Sequence, residues 1–285
     1  MGDLALDTRV EELYEGRYRA RISPDWKIWG PNGGYVASIA LRAVGATVGR
    51  ARPATIVAQF LGVADYDAVE ASVEILRTAR FATAARVGLR QGDRPILEAL
   101  VWGVDPGDMM LEHDVAPPPE VPGPDDVPSR ADRIEALPAG EPGPPHVPFF
   151  DNFDQHPLQW RDSWPPEGPE EPLTRQWLRY RPTARFDDPW LDACRLLIPV
   201  DTFGWPAASQ AHAWIDPPEA VAVTVDLKVS FHRPTAEEWL LVEAVSPIAT
   251  GGLATADAQV WDGAGRLVAS GCQTMLCRPA FYAGG

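Results

Sequence analysis

The chain has 285 residues, 40 acidic against 25 basic side chains, a formal charge of -15, 30 prolines and 3 cysteines. At 45% apolar content it can pack a core, which excludes disorder of the whole chain. The charge excludes a general nucleic-acid binder, because phosphate is repelled unless basic side chains are strongly segregated.

Residues 1–16 are acidic and show no basic-then-apolar signal pattern. No apolar run approaches the ~20 residues needed to span a bilayer, so no membrane span is expected. The cysteines are odd in number and form no CxxC pair, which fits a reducing cytoplasm and buried free thiols. A helix is predicted to start after Asn32, a good N-cap, with Gly33-Gly34 in its first turn. Val36, Ile39, Ala40, Ala43 and Thr47 follow at helical spacing. Strands are predicted at 55–63, 69–77, 82–90 and 95–103, the last two joined by the turn Gln91-Gly92-Asp93.

The next 68 residues, 105–172, hold 16 acidic residues, 3 arginines and 17 of the 30 prolines. They therefore carry -13 of the -15, and the rest of the chain is nearly neutral. Runs such as 116–122 and 140–145 lack amide donors and have fixed φ, so they read as an extended connector. Phe149, Phe150, Phe153, Trp160 and Trp164 are costly to leave in water, so the part after Pro148 is expected to lie against a folded surface.

From 173 onward the order repeats: an apolar segment at 190–200, then strands at 221–233, 239–246, 253–261 and 266–278, with a turn at 262–265. Phe81-Ala82-Thr83-Ala84 aligns with Leu253-Ala254-Thr255-Ala256, and Arg94 with Arg266, at an offset of 172. This reads as a duplication. The expected fold is α+β: two halves, 1–104 and 173–285, each a helix wrapped by a curved antiparallel sheet, joined by the acidic Pro-rich segment 105–172.

Several familiar chemistries are absent. There is no Gly-x-Ser-x-Gly elbow, no P-loop lysine and no Gly-x-Gly-x-x-Gly. The five histidines show no HxH or HxxxH spacing, so neither a metal site nor a cofactor is expected. Three polar residues stand in apolar settings. Asp201 follows Leu196-Leu197-Ile198-Pro199-Val200, and it either caps a turn or faces a cavity. Thr224 lies on a strand whose odd positions are apolar, which puts it on the other face with Asp226 and Lys228; it is also an ordinary strand former. Gln273 alternates with Ala269, Gly271, Met275 and Cys277, and it reads equally as a solvated strand residue.

The segments Leu197-Ile198-Pro199-Val200-Asp201, Val223-Thr224-Val225-Asp226, Phe231-His232-Arg233-Pro234, Glu238-Trp239-Leu240-Leu241 and 267–273 resemble the C-terminal half of the bacterial acyl-CoA thioesterase II family. Gly33-Gly34 resembles its N-terminal helix start. The resemblance implies a double hotdog fold and hydrolysis of acyl-CoA thioesters. It assigns Asp201, Thr224 and Gln273 as the catalytic set that positions a water. A helix start offers free amides to a developing oxyanion, so Gly33 or Gly34 is expected in that role. CoA phosphates need local positive charge, for which Arg86 and Arg90 are candidates. A homo-oligomer, a homodimer first, is expected because hotdog sheets extend edge to edge. The alternatives are a non-catalytic acyl-thioester or lipid-binding protein and, with less support, an enoyl-thioester hydratase, whose Gly-Asp-x-Asn-Pro-x-His pattern is absent.

Overall fold

The computed structural model of the chain describes residues 1–107, 111–138, 143–161, 168–212 and 220–279. The elements up to residue 104 are α1 (Leu4–Asp7), β1 (Glu11–Tyr14), β2 (Arg17–Arg21), α2 (Gly33–Val48), β3 (Arg52–Phe60), β4 (Ala68–Thr78), β5 (Ala82–Gln91) and β6 (Arg94–Val104). Then follow α3 (Arg130–Glu135), β7 (Phe153–Pro157), β8 (Leu173–Tyr180), α4 (Pro189–Thr202), α5 (Gly204–Gln210), β9 (Ala220–Phe231), β10 (Trp239–Thr250), β11 (Leu253–Asp262) and β12 (Leu267–Pro279). Trp164 and the stretch 140–142 lie outside the described residues.

All twelve strands form one sheet, in the order β1-β2-β4-β5-β6-β3-β9-β12-β11-β10-β8-β7. The order is a mirror about its centre, where β3 and β9 pair antiparallel from Thr55↔Ser230 to Gln59↔Asp226. Each half contributes a long helix to the inner face, and α2 and α4 pack against each other. Their close approach explains Gly34: a Cβ there would sit 2.8 Å from the Ile198 Cα, so any larger residue would push the helices apart. Asn32 caps α2 by accepting from the Tyr35 amide at 2.9 Å, and Gly49 ends it at φ 60°.

The mirrored order supports the duplication but shifts its alignment by one residue. Inward-facing positions on β5 are Thr83, Ala85 and Val87, and on β11 they are Ala254, Ala256 and Ala258. Burial therefore matches Thr83 with Ala254, an offset of 171. The second hairpin is one residue longer at its turn, which restores 172 on the following strand: Ala85 pairs with Val101, and Ala256 with Gln273.

Four strands, β1, β2, β7 and β8, are absent from the sequence reading. β2 and β8 take mirrored places beside β4 and β10. β2 has only five residues, with Tyr18 and Ala20 buried, too little alternation to stand out. β8 is masked because both its faces are covered. The Pro-rich run lies over its outer side, where the Trp177 indole donates to the Pro122 carbonyl at 2.9 Å. Trp261 on β11 donates to the Ala116 carbonyl at 3.1 Å in the same way. Proline removes an amide donor but leaves its carbonyl, so such a run can still be docked by donors from the sheet.

Phe149 and Phe153 are buried and join the halves. Trp26 and Tyr35 stack at 5.2 Å, Phe149 and Phe153 lie 5.0 Å apart with both rings against Trp26, and Phe153 meets Tyr180 at 4.7 Å. The Tyr180 hydroxyl donates to the Arg195 carbonyl, four residues before Pro199 and so without a helical donor. Arg195 itself is fully buried, paired with Asp192 at 2.7 Å and donating to three carbonyls. Of the cysteines, Cys194 is buried, but Cys272 is exposed because it faces outward on β12, opposite to Gln273. Among the described residues no helix is long and apolar enough to cross a membrane.

Candidate active site

The C-terminal end of α4 meets the start of α2, and the contact is polar within an apolar surround. Asp201 is 6% exposed. Its Oδ2 accepts from the Gly34 amide at 2.7 Å and from Asn32 Nδ2 at 3.2 Å, and its Oδ1 accepts from the Thr224 hydroxyl at 2.9 Å. Burial pushes the Asp201 carboxyl above its ordinary value of 3.8, against the lowering effect of those hydrogen bonds. Asn32 was expected only as a helix cap. It does cap, through Oδ1, but its amide also donates to Asp201 and to the Thr202 hydroxyl at 3.0 Å. The signal available in the sequence was the choice of asparagine, since of the usual caps asparagine alone has an acceptor for the helix and NH₂ donors to spare.

Thr224 reaches this site through a correction to the strand reading. Strict alternation placed it on the outer face with Asp226 and Lys228. β9 and β12 pair as Gln273↔Leu227 and Thr274↔Asp226, then Met275↔Thr224, so Val225 is bulged out of the ladder. The bulge turns Thr224 onto the inner face beside Met275 and Gln273, while Lys228 beyond it stays exposed.

Gln273 stands behind Thr224. Its Nε2 donates to the Val200 and Asp201 carbonyls at 3.1 and 2.7 Å, which fixes the amide with Oε1 facing the Thr224 hydroxyl at 3.1 Å. Gly204 makes room for it, since a Cβ there would fall 2.1 Å from Nε2. The single proton of Thr224 therefore faces two acceptors. When Asp201 is protonated on Oδ1 both are satisfied in series: Asp201 donates to Thr224 and Thr224 to Gln273. When Asp201 is ionised Thr224 must turn to it, and Gln273 Oε1 loses its donor.

Asp201 and Thr224 line a cavity of about 560 Å³. Its walls are mostly apolar, among them Val36, Phe60, Val63 and Ile96 from the first half. Pro144, Pro145, Val147 and Phe150 also line it, so the acidic Pro-rich segment supplies wall as well as connection. Gly33 lines it too, and its N–H has no acceptor among the described residues. Gly34 does not share that freedom, because its N–H is held by Asp201; of the two expected oxyanion donors only Gly33 is available. Arg86 and Arg90 are not brought to this place. Arg86 pairs with Glu74 on the exposed face of β5, Arg90 donates to the Asp93 carbonyl at a hairpin, and neither lines a described cavity. The described residues contain no cluster of three His, Cys, Asp or Glu suited to a metal ion.

Residues 118–277 match the acyl-CoA thioesterase C-terminal domain, and residues 22–104 match the acyl-CoA thioesterase N-terminal domain. The chain belongs to the acyl-CoA thioesterase family. The match from 118 takes in most of the acidic segment. Among solved structures, an acyl-CoA thioesterase II, TesB2, from Mycobacterium marinum is 23% identical, with 97% of this chain and 98% of that one covered and a TM-score of 0.76. A conserved protein with a hot dog fold from Alicyclobacillus acidocaldarius is 18% identical, with coverage of 96% and 97% and a TM-score of 0.79. A TesB protein from Mycobacterium avium subspecies paratuberculosis is 20% identical, with coverage of 97% and 98% and a TM-score of 0.75. At these identities the likeness is one of fold: this chain is a double hotdog, α2 and α4 each lying within one half of the shared sheet. No curated protein sequence matches. Family and fold together make this thioesterase a thioester hydrolase.

Proposed function

We propose that the protein hydrolyses acyl-CoA to free acid and CoA, with Asp201 as the base that activates water. The observation that carries this is the ionisable, desolvated carboxylate of Asp201, held by both halves at the wall of a large apolar cavity. Ionised Asp201 takes a proton from water as its oxygen attacks the thioester carbonyl carbon. The negative charge passes to the carbonyl oxygen, for which the Gly33 N–H is the donor at hand. Collapse breaks the C–S bond, and the departing thiolate receives the proton held by Asp201. Thr224 orients the carboxylate. Gln273 acts through Thr224 and is a positioning residue. The apolar walls suit the acyl chain.

The two halves that share this work are 1–104 and 173–285, with 105–172 between them. We place the enzyme in the cytoplasm, acting in lipid metabolism as a homodimer; the free thiols of Cys272 and Cys277 fit a reducing compartment. Thiol release from acyl-CoAs of short to long chain is the test. Release that Asp201→Asn abolishes while the melting profile stays cooperative supports the assignment. Absence of release at every chain length favours an acyl-thioester-binding protein instead.

A further inference from the structure

The wall at the catalytic corner is aromatic. A Cβ on Gly33 would sit 3.0 and 3.2 Å from the two Asp201 carboxylate oxygens and 3.2 Å from Phe60 Cζ. The tip of the Phe60 ring therefore stands where the oxyanion donor and the base meet. Met275 is the cross-strand partner of Thr224, and it lines the same cavity while 1% exposed. Phe60 comes from β3 in the first half and Met275 from β12 in the second. Whatever is bonded to the reacting carbonyl carbon thus starts its path beside a phenyl ring and a thioether.

Other parts of the wall are flat and fixed as well. Trp205 lines the cavity and packs on the cluster of Ala208, Ala254, Ala256 and Met275. Phe150 lines it too and is held from two sides: its ring meets Phe149 edge-on at 5.2 Å, and the Arg130 guanidinium lies 5.6 Å from its centre. Pro144 and Pro145 add two more rigid faces.

Such walls hold their shape. They cannot close around a thin alkyl chain, and the gaps left beside one would forfeit dispersion contacts. An alkyl chain also loses rotamer freedom at each bond it buries, whereas a ring has little to lose. A ring meets other rings in offset or edge-to-face geometry and meets a thioether sulfur at its edge, and both contacts add to the gain from buried area. At about 560 Å³ the cavity has room for a ring together with the thioester.

We infer that the acyl group this enzyme takes carries a ring at the thioester carbonyl or one carbon from it, as benzoyl and phenylacetyl groups do, and that Phe60, Trp205 and Met275 select it. The inference rests on the acyl-CoA reading above and narrows it from acyl groups in general to ring-bearing ones.

The test measures kcat/KM for phenylacetyl-CoA against octanoyl-CoA and for benzoyl-CoA against heptanoyl-CoA, each pair equal in acyl carbon number. The ring thioester is expected to be preferred about three- to tenfold in both pairs, the scale of one added aromatic contact. Phe60→Leu and Trp205→Leu keep an apolar side chain and remove a ring, so each should bring the preference toward one. A straight-chain thioester that equals or outruns its ring counterpart overturns the inference while leaving thioester hydrolysis standing. So does a preference that neither substitution moves, or a loss equal on ring and chain substrates, which would make the two residues structural only. In a protein that hydrolyses none of the four, calorimetric titration with the same thioesters decides: tighter binding of the ring-bearing pair upholds the selection by the cavity, and equal or weaker binding overturns it.

Discussion

The Gly34 amide, at the start of α2, donates to Asp201 Oδ2, at the end of α4, at 2.7 Å. The two residues are 167 apart in sequence and come from different halves. The carboxylate that one half supplies is oriented by the helix start of the other, so neither half holds a complete site.

Asp201→Asn copies the protonated acid: its oxygen can accept from Gly34 and Asn32, and its NH₂ can donate to Thr224, which then donates to Gln273. The folded-state carboxyl is raised above 3.8 by burial. Below 3.8 the wild-type group is protonated folded and unfolded alike and has no effect. As pH rises from there through the folded value, the unfolded chain ionises more readily and the wild type loses stability. Asp201→Asn is therefore expected to melt higher than wild type at neutral pH, with the difference vanishing toward pH 3.8. It should also lose about 10²- to 10⁴-fold in kcat/KM. Melting curves across pH read the first effect, and thiol release the second.

The same raised carboxyl sets the acid side of the activity profile. If ionised Asp201 is the base, kcat/KM should fall as pH drops through its folded-state value, at a pH clearly above 3.8. Thr224→Val removes a hydrogen bond that favours the ionised form, so the acid limb should move to higher pH. A limb that stays in place in this variant would separate the limb from Asp201.

Asn32→Ser tests the asparagine's two tasks apart. Serine still caps α2, so stability should stay within about 0.5 kcal/mol of wild type. It cannot reach Asp201 and Thr202 as the amide does, and losing one donor to a charged carboxylate should lower kcat/KM by about 10- to 100-fold. Chemical denaturation and kinetics on the same preparation check both.

Asp192→Ala probes the buried pair below the site. It leaves Arg195 charged, wholly buried and without its carboxylate, with an expected loss of about 3–5 kcal/mol of stability. Because the pair does not touch the cavity lined by Asp201, the pH profile of whatever enzyme remains folded should be unchanged.

Much of this arrangement was legible from the residues. The strands from β3 to β6 and from β9 to β12 follow apolar alternation closed by glycine turns, and Asp201 and Gln273 stood in apolar settings, but it was the family resemblance, not periodicity, that grouped them with Thr224. What the sequence hid has local causes. β8 is covered on both faces and loses its alternation, and β2 alternates but over only five residues. The bulge at Val225 is a feature of the pairing between two strands, not of either alone. Asn32 was half seen, because capping accounts for its presence and conceals its second bond. Arg86 and Arg90 share an exposed face, but neither lines the cavity of Asp201, because regular spacing on a strand says which side chains share a face and not which face meets the site.

The mirrored sheet has one further consequence. Val101 stands opposite Ala85 where Gln273 stands opposite Ala256, so the position that steadies Thr224 in one half is filled by a hydrocarbon in the other. Two geometrically matched places are therefore chemically unequal. The expected stoichiometry is one reacting centre per polypeptide, with the opposite place left free to serve as packing.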